Sequence, residues 1–208
     1  MSSVQAHRKM DLSEWETRWT ESKIGFHQSE VHNVLKANLD KVLCGRKEVR
    51  FFFPLCGKAV DMKWLADLGH TVVGVEISEK GIKEFFSEQN LRYTEEAVAG
   101  IPGAKVFKSS DGKICLYQCD LYQFSRYGAL LVSLMSSDCR YLLDTLEYNP
   151  ELYEGPPFFV SEEDVRSTFG GGCEIELLQE DDVFGEKYKS WGLDSMIEKV
   201  YRLVLKPQ

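Results

Sequence analysis

The chain has 208 residues, 43% of them hydrophobic and 28% charged, the composition of an ordinary globular domain large enough to bury a full core. Its formal charge of −8 disfavours nucleic acid and anionic membrane surfaces, which reward basic patches. No apolar run approaches the roughly 20 residues that span a bilayer, and MSSVQAHRKMDLSEWE at the N-terminus has no apolar stretch resembling a signal peptide. A small molecule is therefore the default ligand. The six cysteines contain no C-x-x-C pair and histidine is scarce, so zinc-ligand spacing is absent and core thiols in a reducing compartment are expected.

In chain order, LSEWETRW opens with Ser13 three residues before Glu16, the spacing of a capping box, and the helix places Trp15 and Trp19 on one face. SEVHNVLKANLDKVL predicts a second helix with Val31, Leu35, Leu39 and Val42 as its buried stripe. EVRFFFPL is a strand too apolar to face water on either side, as in a parallel sheet. KAVDMKWLADLGH is a helix ended by Gly69, HTVVGVEIS the next buried strand and EKGIKEFFSEQNL the next helix. KVFKSSDGKICLYQCDLYQF predicts a hairpin turning at Asp111-Gly112 and a core strand ending near Asp120. CRYLLDTLEYNP is a further strand, SEEDVRSTFGGG a capped helix, and CEIELLQEDDV with IEKVYRLVLK an antiparallel pair at a sheet edge. With no repeat or linker, residues 1–208 read as one α/β domain with a mostly parallel central sheet, helices on both faces and an antiparallel C-terminal hairpin.

In such sheets ligands bind beyond the carboxyl ends of the strands. The turn after the first strand, LCGKAV, lacks both a phosphate-loop and a dinucleotide fingerprint, because Phe52, Ala59 and Met62 stand where those patterns require glycine or a hydroxyl. Glu76 ends the second strand 19 residues after Gly57, which suits an acceptor for a ribose diol; a neighbour of a helix N-cap is the structural alternative. Asp120 ends the third strand and either meets an adenine amino group or serves a turn. Cys56 is either a small filler of the strand end or a reactive thiol. Lys58 reads as an early-helix surface charge. An adenosine ligand without a pyrophosphate reconciles these features: S-adenosylmethionine has ribose and adenine but no phosphate, so one glycine is enough for close approach.

FFFPLCGKAVDMKWLADLGHTVVGVEISEKGIKEFFSEQN closely resembles the thiopurine S-methyltransferases, as do LSEWETRW, GFHQ, IPGAKVFKSS, GPPFFV and KSWGLDSMIEKVY. The resemblance runs from about Leu12 to about Lys206. It implies a Rossmann-like methyltransferase fold in which residues 1–45 form a helical cap over the active site of the 46–208 core. It further implies a monomeric cytosolic enzyme of xenobiotic metabolism, which methylates the sulfur of aromatic and heterocyclic thiols from S-adenosyl-L-methionine and releases S-adenosyl-L-homocysteine. The cofactor is implied against Trp15, Trp19, Phe26, Leu55, Gly57, Glu76, Asp120 and Leu121. The family usually has serine where Asp120 stands. Phe26 matches the aromatic that packs on the thiopurine ring, and Lys187 falls where the family carries an arginine near the substrate. The mechanism expected is in-line positioning in a dry pocket, with no obligatory general base and no metal.

The resemblance has one break. Between Asp120 and Tyr141 the family places a strand ending in an IWDRGAL-like motif and then a helix, but this chain offers only LYQFSRYGALLVSLMSSDC. Gly128-Ala129-Leu130 remain, Tyr127 stands at the motif arginine, and Arg126, one place earlier, is the cation left for the substrate side. About 20 residues cannot build both elements with their loops, so a central strand or helix is missing. Two alternatives to a thiol methyltransferase follow: transfer to another small nucleophile, or an impaired variant that binds an adenosyl ligand.

Overall fold

The computed structural model describes residues 11–98, 102–121, 135–155 and 157–207. The chain forms two compact units, Met1–Lys36 with Leu43–Gln123, and Ala37–Val42 with Phe124–Gln208. No helix among the described residues is long and apolar enough to cross a membrane.

The first unit is built on a five-stranded sheet, order β1-β2-β5-β4-β3. Strands β1 (Arg50–Pro54), β2 (Thr71–Glu76) and β5 (Ile114–Gln118) run parallel, whereas β4 (Lys105–Ser109) and β3 (Tyr93–Ala97) add antiparallel to β5. The hairpin turns as predicted, with Gly112 at φ +72° and its N–H donating to the Ser109 carbonyl at 2.9 Å. β5 stops at Gln118, two residues short of the expected Asp120. Sequence reading misses β3 altogether: YTEEA is exposed at every position, so no buried face marks it.

Helix α1 (Leu12–Thr20) starts two residues earlier than its cap was placed. Asp11 is the N-cap and its N–H donates to Glu14 Oε2 at 2.8 Å, which leaves Ser13 inside the helix. Helix α3 (Asp61–Asp67) ends as expected at Gly69, whose φ of +96° suits a residue without a side chain. Helix α4 (Glu79–Glu88) begins at Ser78, whose Oγ accepts the Gly81 N–H at 3.1 Å, and buries Gly81, Ile82, Phe85 and Phe86.

Two burial expectations fail. In α2 (Asn33–Leu43) the buried line is Val34, Asn38 and Val42, not the predicted stripe, although Val42 is shared. Asn38 centres that face because its amide donates to Gln179 Oε1 at 3.1 Å, so a polar residue occupies a place that apolar counting assigns to leucine. In β1 no residue is fully buried and Phe52 is 40% exposed. Among the described residues β1 pairs on one side only, with β2, which gives it the environment of an edge rather than a centre.

The second unit holds a three-stranded antiparallel sheet, order β6-β8-β7, from Tyr141–Glu147, Ile197–Leu205 and Cys173–Asp182. Helix α5 (Glu162–Phe169) carries a reciprocal box, Asp164 N–H to Ser161 Oγ at 3.1 Å and Ser161 N–H to Asp164 Oδ2 at 3.0 Å. Its Val165 and Phe169 pack with Cys173, Tyr201 and Leu203. A short helix α6 (Glu186–Lys189) precedes β8. The segment SRYGALLV and the question of its strand or helix lie outside the described residues.

Tyr201 is fully buried in the central strand β8, and its hydroxyl has no hydrogen-bond partner among the described residues. An unsatisfied buried donor costs about 1–3 kcal/mol. Tyr201→Phe is therefore expected to leave stability unchanged or raise it by up to about 2 kcal/mol in urea melts; a loss of more than about 1 kcal/mol would show that the hydroxyl is satisfied.

Candidate functional site at the end of the second strand

Three loops of the first unit meet on one residue. Glu76, only 6% exposed, ends β2. Its Oε2 accepts the Gly57 N–H at 2.9 Å, from the turn after β1. Its Oε1 accepts the Ser78 N–H at 2.9 Å, from the start of α4. Its backbone carbonyl accepts the Cys119 N–H at 3.1 Å, from the segment after β5. The N-cap reading holds, because the carboxylate bonds the Ser78 N–H; with the Gly57 and Ile77 N–H groups it accepts from three backbone donors. Burial pushes its carboxyl above the ordinary glutamate range, and the N–H groups of Ser78, Gly57 and Ile77 oppose that shift.

The turn itself is under backbone strain. Leu55 adopts φ +53° and Gly57 φ +48°, and for a leucine that conformation costs about 1 kcal/mol or more. Leu55 is also 47% exposed, a large apolar side chain held open beside the end of Glu76's strand. Gly57 has a packing reason to be glycine: a Cβ there would lie 3.2 Å from the Trp19 ring. Cys56 is buried and fits against Gly74, where any Cβ would meet its sulfur at 2.7 Å. Burial drives its thiol pKa well up, so it is the small filler and not a reactive group.

Helix α1 closes over this turn. Trp19 is 3% exposed and its ring also lies against Gly81, where a Cβ would sit 3.0 Å away. Phe26 meets both tryptophans edge to face, at 6.0 Å from Trp15 and 6.2 Å from Trp19. Trp15 and Trp19 do share a face, as their spacing predicts, but they divide the work. Trp19 is a buried staple on the two glycines, whereas Trp15 and Phe26 remain half-exposed.

Lys58 is not the surface charge expected from sequence. It is 8% exposed, and its Nζ donates to Glu84 at 2.9 Å and Glu88 at 2.6 Å, both on α4. Nothing in the turn's pattern announces this, although Glu84 and Glu88 at i and i+4 mark one acidic face of the helix. Sequence reading likewise misses Cys119, which acts here through its backbone N–H.

Asp120 is half-buried and Leu121 is 3% exposed, just beyond β5. Hence Trp15, Trp19, Phe26, Leu55, Gly57, Glu76, Asp120 and Leu121 all belong to the first unit. Lys187 belongs to the second, in α6, where its Nζ lies 5.5 Å from the Tyr188 ring centre and 5.2 Å from that of Trp191. Lys187 is exposed and lies within cation–π distance of both rings. Trp191 stacks on Tyr153 at 5.1 Å. Arg126 lies outside the described residues.

The arrangement fits an adenosyl group better than a phosphate. The Gly57 N–H, which a phosphate would need, is already given to Glu76, while the carboxylate retains acceptor capacity for a diol.

Comparison with known proteins agrees. The sequence model described as Thiopurine S-methyltransferase matches residues 10–126 and 123–206, two pieces that meet at 123–126. The Danio rerio protein named "Probable thiopurine S-methyltransferase" is 67% identical over 231 residues, covering 99% of this chain and 100% of that protein. A Panthera leo thiopurine S-methyltransferase is 47% identical over 230, covering 99% and 94%. Since 231 aligned positions exceed the 208 residues present, at least 23 positions of the Danio rerio protein have no counterpart here. Among solved structures, an S-adenosylmethionine-dependent methyltransferase from Anabaena variabilis superposes with a TM-score of 0.59 at 13% identity, covering 99% of both chains. One from Geobacter sulfurreducens, in complex with S-adenosyl-L-homocysteine, gives 0.57 at 10% identity, covering 92% and 98%. These two share the fold. From the family match and the 67% and 47% relatives, the chain belongs to the thiopurine S-methyltransferase family.

Proposed function

We propose that this protein transfers a methyl group from S-adenosylmethionine to the sulfur of aromatic and heterocyclic thiols such as thiopurines, with S-adenosylhomocysteine as co-product. The observation that carries the reading is the Glu76 junction, a buried carboxylate with acceptor capacity to spare at the mouth of a turn whose only free glycine N–H is already used. Glu76 would hold the ribose diol, Leu55 and Gly57 the methionine portion, and Asp120 with Leu121 the adenine. Trp15 and Phe26, half-exposed and edge to face, form an apolar wall on the N-terminal segment that holds α1.

When bound, the sulfonium supplies an electrophilic methyl group. The chain's own task is to bind, orient and exclude water. A heterocyclic thiol is acidic enough to present thiolate near neutral pH, so the protein need not remove its proton. Phe26 orients the acceptor ring, and Lys187, cationic and held over two rings, offers a charge to the acceptor side in place of the family's arginine. Arg126 is the second such cation. In-line alignment in an apolar pocket then provides the acceleration. The free thiols Cys56, Cys115, Cys119 and Cys173 support a cytosolic setting.

The at least 23 missing positions favour a second reading, in which the adenosyl half works and transfer is impaired. Labelled methyl transfer separates the two. Incorporation into 6-mercaptopurine supports the thiol methyltransferase; saturable cofactor binding with no incorporation supports the impaired variant.

Two further outcomes follow from Glu76. Glu76→Ala is expected to raise the S-adenosylmethionine dissociation constant about 10- to 100-fold, the value of hydrogen bonds to a charged acceptor; an unchanged constant removes the ribose assignment. Because burial raises this carboxyl's pKa, its ionised form, the one that accepts from a diol, is lost on acidification at a higher pH than for an exposed glutamate. Affinity should therefore begin to fall above the usual glutamate range, and Glu76→Gln should flatten that pH profile.

A further inference from the structure

Lys58 follows Gly57 directly in the chain, yet its side chain turns away from the ligand side of the turn. It runs into α4 and ends on two carboxylates one helical turn apart, Glu84 Oε2 at 2.9 Å and Glu88 Oε1 at 2.6 Å. Its side chain is 9% exposed, while those of Glu84 and Glu88 are 29% and 46% exposed, so a buried ammonium meets two carboxylates that keep part of their water. The rotamer freedom of a lysine is given up here to hold one geometry.

The bond closes a ring of ties around the cofactor turn. Gly57 is bonded to Glu76, Glu76 to Ser78, and Ser78 Oγ to the Gly81 N–H inside α4. Glu84 and Glu88 on the same helix return through Lys58 to the residue beside Gly57. A second strap runs from Lys80 of α4, whose Nζ donates to the Trp19 carbonyl at 2.8 Å, while the Trp19 ring rests on Gly57 and Gly81. Lys58 thus adds a direct side-chain tie between the turn and α4 to those made through Glu76 and the Trp19 ring.

We propose that Lys58 is a positioning residue for S-adenosylmethionine, a buried ammonium that locks the Gly57 turn to α4 and so sets the direction in which Glu76 presents its free lone pairs. It touches no ligand and takes no part in the chemistry. The proposal rests on the methyltransferase reading above. It assigns Glu84 and Glu88 to the same device and explains why a glycine–lysine pair occurs in a turn that binds no phosphate.

The test compares dissociation constant and stoichiometry for S-adenosylmethionine by calorimetry in wild type, Lys58→Met and Glu88→Gln, well below each protein's melting temperature. Lys58→Met keeps the length of the side chain and removes the charge. Glu88→Gln weakens one arm of the pair and, being at a half-exposed position, keeps the helix surface intact. A loosened turn predicts an unchanged stoichiometry near one and a dissociation constant raised about tenfold or more in Lys58→Met and about threefold in Glu88→Gln. The Michaelis constant for the thiol acceptor should stay within about twofold of wild type, a split that general loss of structure would not produce. If Lys58→Met fails to fold cooperatively, Glu88→Gln decides. An unchanged dissociation constant in the folded variants, or equal loss of affinity for both substrates, overturns the positioning role. Failure of the wild type itself to bind would instead count against the methyltransferase reading.

Discussion

A single buried carboxylate organises the ligand end of the first unit. Glu76 accepts N–H groups from the loops after β1 and β2 through its side chain, and from the segment after β5 through its carbonyl. Removing a carboxylate from water is costly, and the cost is offset only by hydrogen bonds that satisfy it. The carboxylate is therefore met by amides from the loops after β1 and β2, while the Cys119 N–H continues the β2–β5 ladder on the main-chain carbonyl. The carboxylate ties the strained Leu55–Gly57 turn to Ser78, the cap of α4. It also accounts for the missing phosphate fingerprint: the amide that would bind phosphate is held by the protein's own acid.

The break in the family pattern falls after this junction. The match is continuous from residue 10 to 126 and resumes at 123, so every residue that touches Glu76 precedes the gap. In the doubly wound order the strand after the third crosses back to lie beside the first. Among the described residues β1 pairs on one side only, with β2. Phe52, at 40% exposure in a strand whose sequence is as apolar as a buried one, records the same mismatch between sequence and surroundings. Of the residues that the resemblance implies for the site, Glu76 lies in the first unit, Lys187 in the second, and Arg126 at the break.

Much of this was legible in the residues. The alternation of β7 and β8, the Asp111-Gly112 hairpin and the Gly69 stop follow from period and turn chemistry, and each appears where those rules put it. The spacing of Glu76 from Gly57 was informative because strand ends in a parallel sheet are brought together whatever the intervening helix contains. What escaped was of two kinds. β3 carries no apolar face, and an edge strand held by backbone bonds leaves no periodic trace. Asn38 and Lys58 are polar residues whose burial depends on partners 141 and 26–30 residues away, information that no local window contains. Lys58 is the sharper case, since a glycine–lysine pair after a strand points to an anion in solution, while here the anions are Glu84 and Glu88.

The central claim is that the adenosyl site survives the loss of at least 23 family positions because it is closed around Glu76 within the first unit. A calorimetric titration of the intact chain with S-adenosylmethionine tests it most directly. The account predicts saturable binding with one site per chain. A cooperatively folded chain that gives no saturable heat would contradict it.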